Sequence, residues 1–249
     1  LLHASVFLGG YFLLKVREKA EMTVNVIGTG SSGNLYEIID EDGNILLIEA
    51  GLDVEKYIKH KIGTKTPEIM VISHEHSDHA QYRNHWASVM RVEFMPEVLD
   101  TAHWKVRGFF VKHGDCPCHA FIIQSEVERK KVLFATDFEY DDDHINALID
   151  VCRDYSVKNY LIECNYNDYL YHLATDEQRR GCDRHFSDND VVKFIREVGV
   201  TTPKIILIHG SNRLCADTYT KQYLTGKLPT ASVGIAVGVK QNTKNLFKL

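Results

Sequence analysis

Short, densely apolar runs of four or five residues recur along the chain between polar spans. That length suits strands and is too short for most helices. The pattern predicts strands over Thr23–Ile27, Leu35–Ile39, Ile45–Ile48, Glu68–Ile72, Gly108–Val111, Ala120–Ile123, Lys131–Ala135, Asn159–Ile162 and Lys204–Ile208. Asp42-Gly43 joins the second and third as a hairpin-type turn. Helical periodicity is clearest over Ser187–Val198, where Val191, Phe194, Ile195 and Val198 fall on one face. Ser187 with Asp190 makes a helix-start signature there, and Gly199 suits the stop. Strands crowd the first half and helices are interspersed, so the expected architecture is layered α/β.

From Met22 onward there is no linker, low-complexity stretch or internal repeat, and residues 22–249 read as one domain. Leu1–Leu14 is apolar but shorter than the roughly 17–25 residues that span a bilayer. Its basic residues, Lys15, Arg17 and Lys19, follow the apolar stretch, whereas a secretory signal carries them in front. Residues 1–21 therefore read as an extension ahead of a start at Met22, with no membrane role and a cytoplasmic location expected.

The 249 residues are 44% hydrophobic and 25% charged, a balance that excludes a disordered or collagen-like chain. Six cysteines at irregular spacing in a chain of this length point to reduced thiols rather than staples. Cys116 and Cys118, without a second pair, make a weak case for zinc. The net charge of −5 argues against a surface built to coat long nucleic acid, so any polyanionic substrate must be met by a local site. The unusual feature is the count of 13 histidines.

Gly28-Thr29-Gly30-Ser31-Ser32-Gly33 fits G-x-G-x-x-G and follows a strand. Dinucleotide binding also needs a helix to begin there, so that its N-terminus meets the pyrophosphate. The residues that follow, Asn34 to Ile39, read as a strand instead. The glycines are expected to shape a tight turn bordering the site.

The strongest chemical signal is Ser73-His74-Glu75-His76-Ser77-Asp78-His79, between an apolar strand and a plausible helix. In H-x-H-x-D-H the first two histidines alternate on an extended segment and point the same way. Asp78 and His79 come from the turn into the helix and can reach a second metal beside the first. Four more groups stand just beyond apolar runs: His113, Asp137, Glu163 and His209. Ligands in α/β sheets collect beyond the carboxyl ends of strands, so five strand ends deliver imidazoles and acids to one edge.

These residues resemble the metallo-β-lactamase-fold hydrolases, from Met22 to about His209. The resemblance implies an αββα sandwich with a two-metal site between its sheets. It places His74, His76 and His113 on one metal, Asp78, His79 and His209 on the other, and Asp137 between them. Imidazole and carboxylate suit zinc, manganese or iron; zinc is the default, with manganese next. Gly30-Ser31-Ser32-Gly33-Asn34 looks like the branch of phosphoribosyl cyclic phosphodiesterases and YycJ-type nucleases. Leu161 to Tyr166, followed by His185-Phe186-Ser187, looks like the phosphodiesterase side, which includes ribonuclease Z. By that likeness Glu163 orients His185, which helps the leaving oxygen depart, while Asp78 positions or deprotonates the hydroxide that attacks phosphorus. Ser31, Ser32 and Asn34 are the expected substrate contacts of the glycine turn, and Tyr166, with Tyr169 and Tyr171 nearby, is expected to stack on a base. Glu49 stands where the family usually has Asp, and His119 where relatives often place a small residue.

The segment between His113 and Asp137 is about two dozen residues, too short for the tRNA-gripping arm of ribonuclease Z. The expectation is therefore a dinuclear-metal phosphodiesterase acting on a small, cyclic nucleotide, akin to phage anti-Pycsar enzymes, in which case the location is the host cytoplasm. A homodimer is expected from the family alone. The rival readings are a YycJ-like nuclease, a glyoxalase-type thioester hydrolase and a non-catalytic metal module. Di-iron redox chemistry is disfavoured because His76, which those sites replace with an acid, is intact.

Overall fold

The computed structural model describes residues 7–8, 11–12, 21–211, 213–215, 217–236 and 245–249. Most of the apolar N-terminal stretch discussed above lies outside the described residues. Two short strands there, β1 (Phe7–Leu8) and β2 (Tyr11–Phe12), pair antiparallel.

Two larger sheets carry the fold. The first contains β3 (Thr23–Gly28), β4 (Leu35–Ile39), β5 (Ile45–Ile48), β6 (Ile69–Ile72), β7 (Val92–Phe94) and the C-terminal β15 (Leu246–Lys248), in the order β15-β3-β4-β5-β6-β7. The second contains β8 (Val98–Asp100), β9 (Trp104–Val111), β10 (Cys118–Ser125), β11 (Lys131–Ala135), β12 (Asn159–Glu163), β13 (Lys204–Ile208) and β14 (Ser232–Ile235), in the order β14-β13-β12-β11-β10-β9-β8. Helices α1 (Val54–His60), α2 (Ser77–Ala80) and α3 (Arg83–Ala87) belong to the first half. In the second half lie α4 (Asp142–Asp154), α5 (Asp168–Leu173), α6 (Asp176–Arg179), a 3₁₀ turn at Cys182–Arg184, α7 (Asp188–Val198) and α8 (Asp217–Lys227).

The apolar runs are continuous because these strands are buried on both faces. Side chains alternate across a strand, so each run feeds two cores. In β5, Leu46 and Ile48 pack between the sheets, while Ile45 and Leu47 join Tyr57 and Trp86 on the outer side. In β11, Val132 and Phe134 face the intersheet core, while Leu133 and Ala135 meet Ile145, Leu148 and Phe194 from α4 and α7. Helix, sheet, sheet, helix is the resulting layering, the expected αββα sandwich. Helix α7 starts with the predicted reciprocal cap between Ser187 and Asp190 and stops at Gly199, whose φ is 75°.

Strands β4 and β5 form the expected antiparallel hairpin, and in its connection Asp40 Oδ1 accepts from the N–H groups of Asp42 and Asn44, with Gly43 at φ 82°. One detail differs from the sequence reading. Strand β9 begins at Trp104, four residues before the apolar run it ends with, because its first half alternates buried Trp104 and Val106 with half-buried Lys105 and Arg107.

The loop after β5 backs the metal motif. Ala50 N donates to His79 O, Asn34 N donates to Asp78 O, and Gly51 N donates to Asn34 O. A Cβ on Gly51 would lie 1.8 Å from Asp78 O and 2.5 Å from Asn34 N. Both obstacles are backbone, which cannot step aside. Gly51→Ala should therefore lower stability by about 3 kcal/mol or more in urea denaturation. A loss below about 1 kcal/mol would show that the loop yields freely.

Candidate metal centre

The strand ends that meet here come from both sheets, not from one edge as the sequence suggested. β6 runs into Ser73–His76 and then α2, which carries Asp78 and His79. Across the cleft, β9, β11, β12 and β13 run in the same sense and end near His113, Asp137, Glu163 and His209. Glu49, Asp137 and His209, each just past a strand end, have φ of 67°, 51° and 53°. The left-handed region is unfavourable for side chains with a Cβ, by about 1 kcal/mol or more. Three such residues at one site mark a place where side-chain direction outweighs backbone comfort.

His74, His76, His113 and Asp137 form one group whose donor atoms all lie within 4.8 Å of one another, and Asp78, His79, Asp137 and His209 form a second. Asp137 belongs to both. Its Oδ2 lies 3.3 Å from His74 Nε2, 3.1 Å from His79 Nε2 and 3.9 Å from His113 Nε2. Its Oδ1 lies 3.0 Å from His209 Nδ1. His76 Nδ1 is 3.2 Å from His113 Nε2, and Asp78 Oδ2 is 3.3 Å from His209 Nε2. The two groups match the two ligand sets that the resemblance implied.

The donor set fits a pair of divalent cations. His74 Nε2 is fully buried and has no hydrogen-bond partner, an expensive state for a nitrogen not aimed at a ligand. The opposite ring nitrogens of His74 and His113 are occupied. His74 Nδ1 is 2.9 Å from Ser73 Oγ, and His113 Nδ1 donates to Arg184 O at 3.1 Å. His79 Nδ1 faces Glu49 Oε1 at 3.4 Å, a close approach of charge rather than a hydrogen bond. Such outer partners turn the second nitrogen's lone pair inward, as metal-binding histidines require. Glu49 thereby takes a definite place: its longer side chain reaches His79 with one oxygen and accepts from Ser73 N with the other.

Burial disfavours charge on Asp137, but His209 and His79 overcome it and hold the carboxyl well below the usual range. The same attraction lifts His79 and His209 far above the ordinary imidazole range despite burial. Burial lowers His76 and His113. A bound cation would take the place of a proton on these rings, since a ligating imidazole is neutral.

A third group joins the same carboxylate: Asp137, Glu163, His185 and His209. Glu163 is fully buried; its Oε1 is 2.5 Å from His185 Nδ1 and 3.2 Å from His209 Nδ1, and its Oε2 accepts from Phe138 N at 3.2 Å. Phe138 stacks on Phe186 at 3.9 Å, which fixes the chain beside His185.

These groups face a cleft of about 400 Å³. Ser31, His76, Asp78, His113, Asp137, His185 and His209 line it. The other expected substrate contacts are placed elsewhere. Asn34 is fully buried: its Oδ1 accepts from Gly30 N and Tyr36 OH, and its Nδ2 lies 3.0 Å from His79 Nε2. It is a clamp between the glycine turn and the motif, out of a substrate's reach. Ser32 is exposed, outside the cleft lining. Tyr166 is also absent from the lining and packs against Tyr171, with ring centroids 5.2 Å apart. Tyr169 is exposed and pairs with Tyr219. The glycine turn serves the site differently, since Thr29 Oγ1 accepts from His209 N at 2.7 Å. No nucleotide fold begins there: β4 follows directly.

His119 is buried at the edge of β10, with burial lowering its pKa, and lies outside the cleft lining. All six cysteines are free thiols; Cys118 Sγ lies 3.7 Å from His74 Nδ1, and no thiol joins a metal-capable group among the described residues. Sequence reasoning missed Asn165, whose Nδ2 donates to His209 O at 3.1 Å, and the cleft arginines Arg180, Arg184 and Arg213. Asn165 sits in a run already singled out for Glu163; the arginines carry no periodic signal.

No protein-family model and no curated protein matches the chain. Solved structures do. The metallo-beta-lactamase fold protein YhfI from Bacillus subtilis superposes with a TM-score of 0.66 at 15% identity, over 92% of this chain and 99% of that one. This chain has the metallo-β-lactamase fold. Unliganded yeast PDE1 is similar with a TM-score of 0.64 at 9% identity, over 88% of this chain and 98% of its own. The short form of human tRNase Z gives 0.59 at 13% identity, over 91% and 99%. Among the described residues no helix is long and apolar enough to cross a membrane.

Because Asp137 belongs to both ligand groups, Asp137→Ala should empty both metal positions, whereas His76→Ala should chiefly weaken the one it shares with His74 and His113. Plasma mass spectrometry of protein loaded with zinc or manganese checks this, with two ions per wild-type chain expected. Equal metal content in wild type and Asp137→Ala would rule out the shared carboxylate.

Proposed function

We propose that this chain is a metal-dependent hydrolase, a phosphodiesterase that cleaves a P–O bond in a small, cyclic nucleotide. The fold hosts many reactions, so the site must decide among them. The observation that carries the reading is the Glu163–His185 pair, in which buried Glu163 backs a His185 that lines the cleft beside the dinuclear ligand groups. Zinc or manganese held by His74, His76, His113, Asp78, Asp137, His79 and His209 would supply a hydroxide nucleophile at neutral pH and counter the charge growing on phosphorus.

The chain's own groups divide the remaining work. Asp78 lies at the cleft with one oxygen against His209 and His79, which outweigh burial and hold its carboxyl well below the usual range, so it serves as an ionised group that orients the attacking oxygen. His185 lines the cleft, stacked on His209, and protonates the departing oxygen. Burial disfavours the imidazolium, but the charge and hydrogen bond of Glu163 outweigh burial and raise the His185 pKa above its ordinary value. That favours the acid form, as a leaving-group acid requires. A poor alkoxide leaving group needs such a proton donor, whereas a thiolate needs it less. A cleft of about 400 Å³ suits a ligand of nucleotide size.

The direct test is a screen of metal-loaded protein against 3′,5′-cyclic mononucleotides, bis-p-nitrophenyl phosphate, short DNA or RNA and a glutathione thioester. Turnover of the cyclic nucleotide is expected. Exclusive cleavage of DNA or RNA would make the chain a nuclease, and thioester turnover alone would overturn phosphodiester chemistry. His185→Ala should keep its metal yet lose about a hundredfold or more in kcat. A raised pKa for the acid places the basic limb of the pH–rate profile above the ordinary histidine range, with rate lost as pH rises through it. Glu163→Gln removes the supporting charge, so that limb should move to lower pH. An unmoved limb would detach His185 from leaving-group protonation.

A further inference from the structure

The cleft has two chemical zones. Its inner zone is the set of imidazoles and carboxylates described above. Its outer wall, on the α6–α7 connection and the loop after β13, brings together Arg180, Arg184 and Arg213 with Gly181 and Ser211. All three arginines are exposed, and among the described residues none has a carboxylate within ion-pair distance. Arg91, Arg107, Arg153 and Arg179 pair with Glu93, Asp100, Asp150 and Asp176, and the other described arginines without such a pair, Arg83, Arg129 and Arg196, lie outside the cleft lining. The two acids that line the cleft, Asp78 and Asp137, are engaged by imidazoles.

Local structure holds two of these arginines toward the cleft. Gly114, at φ 56°, leaves room for the Arg184 side chain: a Cβ there would lie 3.3 Å from its Cδ and Nε. The Arg184 carbonyl accepts from His113 Nδ1, so the residue bridges the inner and outer zones. Ser211 Oγ accepts from the backbone N–H groups of Arg213 and Leu214, which shapes the turn presenting Arg213.

Resting on the phosphodiesterase reading, we propose that Arg180, Arg184 and Arg213 form a subsite for a second phosphate, and that the substrate is a nucleotide with a phosphate group beyond the scissile one. A single phosphodiester carries one negative charge, and the inner zone is equipped to meet it. Three further guanidiniums on the outer wall, in a chain whose net charge is −5, supply local positive charge that one diester does not need. Guanidinium is the side chain best matched to phosphate, through paired, charge-assisted hydrogen bonds. Its field also draws a polyanion into a cleft of an otherwise acidic molecule.

The test compares adenosine 5′-monophosphate with adenosine 3′,5′-bisphosphate, ligands that differ by one phosphate, by calorimetric titration of the metal-loaded protein. The bisphosphate should bind the wild type about tenfold or more tightly than the monophosphate. In Arg180→Gln/Arg184→Gln/Arg213→Gln that margin should vanish, while Arg153→Gln on α4 should preserve it. Circular dichroism of the triple variant, whose changes are at exposed positions, verifies the fold. Equal affinities in the wild type, or a margin kept by the triple variant, would overturn the subsite. A variant that weakens both ligands equally would also overturn it, by assigning the arginines to a phosphate common to both. Failure of the phosphodiesterase reading shows separately, as wild-type protein inert toward bis-p-nitrophenyl phosphate, and leaves the binding comparison decisive for the subsite.

Discussion

The Asp137 carboxylate is the constraint on which the site depends. It is buried, lies in the left-handed backbone region, and is approached by imidazole nitrogens of His74, His79 and His209 within 3.3 Å. A buried carboxylate among buried imidazoles is stable only if positive charge is shared among them, as protons or as cations. The rings are held by what lies behind them. Ser73 stands behind His74, Glu49 behind His79, the Arg184 carbonyl behind His113 and Thr29 beneath His209. The rings of His74, His79 and His113 thereby lose an orientation they would otherwise be free to take, Thr29 fixes the His209 backbone, and the remaining nitrogens converge.

The sandwich makes that convergence affordable. Two sheets with continuous apolar interiors provide rigid strand ends, so seven side chains from distant parts of the chain arrive within one cleft. The same scaffold serves many reactions elsewhere, and the chemistry lies in what surrounds the ligand groups. Here those surroundings are an acid–imidazole pair at one side and, further out, guanidiniums with no carboxylate partner among the described residues.

Most strands could be read from the sequence because burial on both faces leaves an unbroken apolar run. β7, β8 and β14 could not, since Val92–Phe94 is only half-buried, Val98 is largely exposed and Ser232–Ile235 buries Val233 alone. Helix α4 was visible in principle: Ile145, Leu148, Ile149 and Cys152 repeat at helical spacing after an acidic start capped by Asp141. The ligand groups were legible because metal binding needs particular residue types at strand ends. Substrate contacts were not, because they depend on how loops fold over the cleft. Asn34 faces inward as a clamp, Tyr166 packs on Tyr171, and Arg180, Arg184 and Arg213 come together only through the tertiary fold.

The central claim is that this pocket grips two cations that share one carboxylate. Crystals of the metal-loaded protein, measured at the absorption edge of zinc or manganese, test it directly. The account predicts two anomalous peaks on either side of Asp137, one beside His74, His76 and His113 and the other beside Asp78, His79 and His209. A single peak away from Asp137, or none in fully loaded protein, would contradict it.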